Sequence, residues 1–428
     1  MRKVKLEYTV IILFILVNLI NTFIKPVSAA SEVPNLNSEG VVVLNSETGQ
    51  VVYEKNPDTR YYPASTTKVL TALIVVENCS LDEKVTIGKN PPYADGTSLG
   101  LREGEIYTVK ELLCGLLLMS GNDAAEALAE HVSGSKEAFA ELMNKKAKEL
   151  GCTNSNFKNP SGLPDEEHYT TPRDLATIMN ACIKNPTFCE IDSTMNIEFQ
   201  PSNLDGNKLW ISNQNYILLP NSRHFYEYAR YAKKGYTIAA KFTNVVSCTK
   251  DNDTFVGAFL RGENGDAVYP DAKNVFNYVF DNFTNVELYK KDQEVGEFNI
   301  DSETTIPLAL SEDVYYTCQK AEIENVNTTI KYDNPTRLEK KSIKKGDVLT
   351  TATIYVNGEE FKTVNLVSAV NRSYTPPVAK VGHFFNDNKV ALSISCLTAL
   401  LILLVARIYR IKNKKKKEKE NQRYSKLS

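Results

Sequence analysis

The stretch "GVVVLNSETGQVVYEKN" alternates apolar and polar residues around a turn containing Gly49, the period-two mark of a β-hairpin. Helical spacing follows. "STTKVLTALIVVENC" is long and apolar and "TVKELLCGLLLMSG" is nearly all apolar, while "NDAAEALAEHVSGSKEAFAELMNKKAKELG" repeats apolar positions at i, i+3 and i+4 up to Gly151. Strand patterns return in "YTIAAKFTNVVSCTKDNDTFVGAFLRGE", and "DAKNVFNYVFDNF" reads as a closing amphipathic helix. Strands at both ends of a helical middle predict an α+β or three-layer domain whose terminal strands share one sheet. Beyond about residue 290 the texture becomes short alternating strands between polar turns: "TTIPLAL", "DVYYTCQ", "TTIKYDN", "DVLTTATIYVN" and "FKTVNLVSAV". These predict a small all-β module.

The two ends read differently from the middle. Residues 1–29 combine a basic start (Arg2, Lys3, Lys5), an apolar run from Val10 to Leu19 and small residues at "VSA". This is the pattern of a secretory signal peptide, with an uncleaved anchor as the alternative. Val390–Ala406 is free of charge and, extended by Ile408 and Tyr409, is long enough for one membrane helix. A buried core helix is the other reading, but the lysine run that follows argues against burial. Positive charge beside a span stays cytoplasmic, which predicts a tail inside and the preceding chain outside. The expected order is a signal peptide (1–29), a catalytic-type domain (30–290), a β-rich domain (291–372), a stalk (373–389), a transmembrane helix (390–409) and a basic cytoplasmic tail (410–428).

Charge sharpens this picture. The chain is formally −2, yet residues from Arg407 onward carry +8 and residues 1–29 carry +3, leaving about −13 for the remainder. An acidic exported domain argues against nucleic acid as a partner. Of eight cysteines, Cys396 falls in the span; the other seven are irregularly spaced without a CxxC, so no disulfide framework or zinc site is indicated. No cofactor is expected.

Three short stretches carry candidate chemistry. In Pro63-Ala64-Ser65-Thr66-Thr67-Lys68, a serine at a helix start would have backbone N–H groups converging on it, and Lys68 lies three residues on along the same face. The apolar run behind Lys68 would desolvate its amine and lower its pKa. The alternative is a capped, buried helix. Ser120-Gly121-Asn122 falls between two helices and reads either as a hydroxyl and an amide aimed into a cleft, or as a helix-to-helix turn. In the second reading Asn122 or Asp123 is the N-cap and Glu126 completes a capping box. Lys233-Lys234-Gly235-Tyr236-Thr237 opens a strand pattern and would offer a cation for a carboxylate and a free edge for an extended peptide.

S-x-x-K, S-x-N and K-x-G in this order mark penicillin-binding proteins and class A β-lactamases. The chain resembles the D-alanyl-D-alanine carboxypeptidases, the low-molecular-weight penicillin-binding proteins, from about Gly40 to Val370. The resemblance includes "PASTTKVLTAL", "LLLMSGNDAAEALAEHVSGS", "AKELGCTNSNFKNPSGLPDEEHYTTPRDLA" and "IKKGDVLTTATIYVNGEEFKTVNLVSA". It implies a penicillin-binding, serine β-lactamase-like α/β/α domain with an antiparallel sheet, followed by a β-rich domain and a membrane attachment. It further implies that Ser65 attacks the D-Ala-D-Ala carbonyl, Lys68 is the base, Ser120 passes the proton to the leaving group and Asn122 holds the acyl amide. Lys233 would bind the terminal carboxylate, with Gly235 and Thr237 alongside, and the N–H groups of Ser65 and Tyr236 would form the oxyanion hole. The implied partners are peptidoglycan stem peptides and β-lactams as covalent inhibitors.

The chain departs from the family's K-T-G at Lys234, which would either supply a second cation or crowd the site. A catalytically impaired wall-binding or regulatory homologue is therefore the alternative. A β-lactamase needs a Glu in an E-x-x-x-N pattern, and no Glu between Asp123 and Lys233 has Asn four positions on. HExxH is absent, and His168 reads as a loop-packing residue rather than a catalyst.

Overall fold

The computed structural model describes residues 35–301, 304–332, 342–374 and 386–424. The expected signal peptide and most of the expected stalk lie outside the described residues. The chain divides into two compact units, the first reaching Leu288 and taking in Tyr315–Val326, the second formed by Tyr289–Val314 and the chain from Asn327.

The first unit opens with β1 (Gly40–Asn45), β2 (Val51–Lys55), a 3-10 turn (Ala64–Thr67) and α1 (Lys68–Asn78). A short hairpin of β3 (Lys84–Thr86) and β4 (Ile106–Thr108) leads into α2 (Val109–Leu118), α3 (Asn122–Ser133), α4 (Lys136–Glu149), α5 (Pro172–Ile183) and α6 (Pro186–Asp192). A second short hairpin, β5 (Asn196–Glu198) and β6 (Trp210–Ser212), precedes β7 (Ala229–Thr237), β8 (Lys241–Lys250), β9 (Asp253–Gly262), α7 (Gly265–Asn282) and β10 (Phe283–Tyr289).

Five of these strands form an antiparallel sheet in the order β2-β1-β9-β8-β7, so the first and last strands of the pattern do share one sheet. Strand alternation sends successive side chains to opposite faces. Val42, Leu44, Val245, Val256 and Ala258 join the core that contains α1 to α6. Val41, Val43, Val246, Phe255 and Phe259 face α7, whose Val268, Ala272, Val275, Phe276 and Val279 form the opposite layer. The architecture is the expected three-layer α/β/α sandwich, with β2 and β7 as the edge strands of its sheet.

Local chemistry explains the boundaries. Thr108 and Glu111 form a reciprocal capping box at the start of α2. The long helical pattern of residues 122–151 is two helices, because Gly134 adopts φ +82° and Ser135 caps α4 by accepting from Ala138 N.

In the second unit β11 (Glu294–Asp301), β12 (Thr304–Leu310), β14 (Thr328–Tyr332), β15 (Val348–Val356) and β16 (Glu359–Ser368) form an antiparallel sheet in the order β11-β12-β16-β15-β14. The remaining strand, β13 (Val314–Gln319), pairs with β10 instead. Helix α8 (Lys389–Tyr424) contains a stretch with mean hydropathy 2.3, long and apolar enough to cross a membrane. All eight cysteines are unpaired.

Candidate active site

Ser65 lies on the 3-10 turn that feeds α1, and neither element has a side-chain cap. The capped-helix reading of this stretch therefore fails. The turn is clamped at Pro63, whose carbonyl accepts from Thr66 Oγ1 (2.7 Å) and from Thr243 Oγ1 of β8 (2.9 Å). Ala64 is held at φ +50°, a strained conformation for a residue with a side chain. Its carbonyl is pressed by Gly162, where an added Cβ would stand 1.9 Å away.

Lys68 is fully buried, with Nζ 3.0 Å from Ser65 Oγ, and it donates to Asn122 Oδ1 (2.7 Å) and Ser161 O (2.6 Å). The amide and backbone oxygens only accept, whereas a hydroxyl also donates. A neutral amine has two N–H donors and one lone pair, so these partners leave the lone pair for the Ser65 hydroxyl. Burial holds the Lys68 pKa well below the usual lysine value; Lys233 pushes the same way and Asp123 opposes.

Ser120 is buried at φ +68° in the turn joining α2 to α3, a second strained residue, and its hydroxyl makes no hydrogen bond among the described residues. Asn122 Nδ2 donates to Asp95 O at 2.5 Å. The N-cap of α3 is Gly121, without a side-chain cap, so the expected capping box does not form. Asp123 instead accepts from Ser98 Oγ (2.7 Å) and from the N–H groups of Leu99, Gly100 and Leu101 (2.8, 3.0 and 3.1 Å), tying that loop beside the turn.

Lys233, expected on an exposed strand opening, is buried in the middle of β7 and donates to Lys234 O at 3.0 Å. Burial brings its pKa down to about 7; Lys234 adds to the fall and Asp192 opposes it. Gly235 lies against the nucleophile: an added Cβ would be 2.8 Å from Ser65 N and 2.5 Å from Thr243 Oγ1. Ala232 N donates to Asp192 Oδ2 (2.9 Å) and Lys234 N to Asn215 Oδ1 (3.2 Å), both away from β8. By the alternation of a strand the Tyr236 N–H points the same way, out of the sheet. The Tyr236 ring is exposed, and Thr237 Oγ1 accepts from Ala240 N in the hairpin tip (3.0 Å). The Lys234 ammonium rests 4.2 Å above the centre of the Tyr216 ring, a cation–π contact.

The geometry thus brings Ser65, Lys68, Asn122 and Gly235 into direct contact range, with Ser120 in the adjoining turn and Lys233 close enough to act on the charge of Lys68. Thr237 is engaged in the hairpin. Sequence reasoning missed Ser161, Gly162, Asp192 and Asn215, which act through a carbonyl, a close approach and the outward N–H groups of β7. His168 is the packing residue expected: its Nδ1 accepts from Lys158 N (3.2 Å), so its neutral Nε2–H donates to Thr67 Oγ1 (3.0 Å).

A serine beside a desolvated lysine, under the edge strand of an α/β/α sandwich, defines a serine-type hydrolase. The match to known proteins agrees. The D-alanyl-D-alanine carboxypeptidase family model matches residues 27–263, and the model of the penicillin-binding protein 5 C-terminal domain matches 283–373. D-alanyl-D-alanine carboxypeptidase DacF of Bacillus subtilis is 32% identical over 331 residues, covering 75% of this chain and 82% of the relative. The structure of penicillin-binding protein 5 from Haemophilus influenzae is 25% identical with a TM-score of 0.67, covering 80% of this chain and 99% of that one. A Streptomyces K15 DD-transpeptidase structure is 31% identical with a TM-score of 0.55, covering 58% and 100%. The chain belongs to the D-alanyl-D-alanine carboxypeptidase family and is a low-molecular-weight penicillin-binding protein.

Proposed function

We propose that the protein removes the terminal D-alanine from peptidoglycan pentapeptide stems through an acyl-enzyme on Ser65. The observation that carries this reading is the Lys68 amine, desolvated and 3.0 Å from Ser65 Oγ with its two N–H groups otherwise engaged. Lys68 takes the Ser65 proton as Oγ attacks the carbonyl between the two D-alanines. The developing oxyanion meets the backbone N–H groups of Ser65 and Tyr236. Ser120 hands a proton to the departing D-alanine nitrogen, Asn122 holds the acyl amide, and Lys233 binds the terminal carboxylate with Gly235 and Thr237 lining the approach. Water then cleaves the ester. β-Lactams acylate the same serine.

Helix α8 anchors the protein as a single span, with the catalytic unit outside the cytoplasm and the lysine-rich tail inside. Nothing in the comparisons favours a catalytically impaired homologue. Release of D-alanine from a synthetic pentapeptide tests the reading. Turnover that disappears in Ser65→Ala is expected; undiminished turnover in that variant would refute it.

A further inference from the structure

The spacing of the cysteines along the chain indicates no metal site, yet the fold brings three unlike donors together. Cys79 ends α1, Glu83 precedes β3 and His131 lies in the last turn of α3. Their thiol sulfur, a carboxylate oxygen and an imidazole nitrogen all lie within 4.8 Å of one another. Among the described residues no other group of His, Cys, Asp and Glu side chains converges in this way. Glu83 Oε2 is 3.3 Å from His131 Nε2. An exposed ion pair accounts for those two residues and contributes little stability. It leaves the unpaired thiol of Cys79 beside them unexplained.

The donors sit on fixed backbone. Cys79 N donates to Val75 O (2.9 Å) and Glu83 N to Ser80 O (3.1 Å). At the start of α2, Val109 N and Lys110 N donate to Glu83 O and Leu81 O (2.9 and 3.0 Å). Ser80 N also donates to Glu83 Oε1 at 2.6 Å, which leaves Oε2 for His131. A hydrogen bond to the far oxygen of a ligating carboxylate is the support that orients ligands around a metal. With metal–ligand bonds of about 2.0–2.3 Å, the ligand atoms of a tetrahedral zinc site stand roughly 3.3–3.6 Å apart. The Glu83–His131 separation already fits, and the sulfur has at most about 1.2 Å to close. A thiolate, an imidazole and one carboxylate suit zinc, whereas calcium and magnesium take oxygen ligands.

We propose that Cys79, Glu83 and His131 bind one zinc ion, with water in the fourth position. The thiol proton passes to solvent as the sulfur coordinates. The ion joins the end of α1 to the end of α3. At their other ends the same two helices bring Lys68 Nζ to Asn122 Oδ1 at 2.7 Å. The 11 residues of α1 span about 16 Å, so the ion fixes the packing of the helices and takes no part in the bond-making steps. The site stands independently of the reaction proposed above.

The test uses the untagged full-length protein in detergent, stripped with a chelator, dialysed, and titrated with zinc and separately with cobalt(II). One zinc per chain is expected, with a melting temperature several degrees higher once zinc exceeds its dissociation constant about 100-fold. Cobalt(II) should give a near-ultraviolet thiolate charge-transfer band that saturates at one equivalent. Cys79→Ser is expected to abolish the band, and His131→Ala or Glu83→Gln to weaken zinc binding about tenfold or more. A parent that binds no zinc at micromolar concentrations, or that binds cobalt(II) without the thiolate band, would overturn the site. Both results are read on the unmutated protein, so they decide even if a variant does not fold. A band undiminished in Cys79→Ser would place the metal elsewhere and overturn the site too.

Discussion

Replacing Gly235 by alanine isolates the contact on which the cleft's geometry depends. The new methyl would stand 2.8 Å from Ser65 N and 2.5 Å from Thr243 Oγ1, with Ala64 Cβ at 3.1 Å. Ordinary carbon contacts begin near 3.5 Å, so the nucleophile turn and β7 must separate by about 0.7 Å. Thr243 gives no easy relief, because its buried hydroxyl is engaged with Pro63 O on the same turn. Overpacking of this kind costs about 1–3 kcal/mol of stability. Catalysis should suffer more. The separation moves Ser65 N away from the β7 backbone that would complete the oxyanion site, and misplacements approaching 1 Å lower rates by roughly 100-fold. We therefore expect Gly235→Ala to fold, to melt a few degrees lower, and to lose roughly 10- to 100-fold in the second-order rate of acylation by a fluorescent penicillin. A variant that melts normally and acylates within about twofold of the parent would refute the argument.

Three further outcomes follow from the charges. On the proposed roles the pH profile of kcat/KM should be bell-shaped: below the lowered pKa of Lys68 the amine cannot accept a proton, and above about 7 Lys233 loses the cation that would bind the carboxylate. The alkaline limb of kcat should lie higher, since a bound carboxylate stabilises the Lys233 ammonium; a kcat/KM that still climbs at about pH 9 would contradict this. Lys234→Thr should raise D-alanine release or leave it unchanged, because the ammonium is engaged with the Tyr216 ring; a collapse in release would mean that Lys234 takes part in the mechanism. His168, held neutral by burial with a pKa near 4 against an ordinary 6.5, should make stability fall as pH drops from 6.5 towards 4. The unfolded chain binds the proton first there, so the loss is on the order of 3 kcal/mol and should flatten in His168→Gln, read from melting temperature against pH.

The motif residues were legible because each carries chemistry in its side chain and the three stretches fall in family order. The shared sheet was legible from alternation at both ends of the helical middle. What escaped acts through the backbone or through long-range packing. Ser161 contributes a carbonyl to Lys68, Gly162 contributes a missing Cβ, and Asp192 and Asn215 receive N–H groups from β7 across 40 and 19 residues. Residue type does not signal any of these roles. The reading of Glu126 as a cap failed for a related reason. The S/T/D/N-x-x-E pattern fixes spacing but not which groups claim the side chains, and Asp123 is claimed by the loop at Leu99–Leu101. The three-residue strands of the two short hairpins are too brief for alternation to show.

The central claim is that Ser65 is a nucleophile activated by Lys68. Incubating the purified protein with a fluorescent penicillin, followed by mass analysis of the labelled peptide, tests it most directly. The account predicts one covalent adduct per chain on Ser65, absent in Ser65→Ala and strongly slowed in Lys68→Ala. No adduct on the unmutated protein, or an adduct that survives Ser65→Ala, would contradict it.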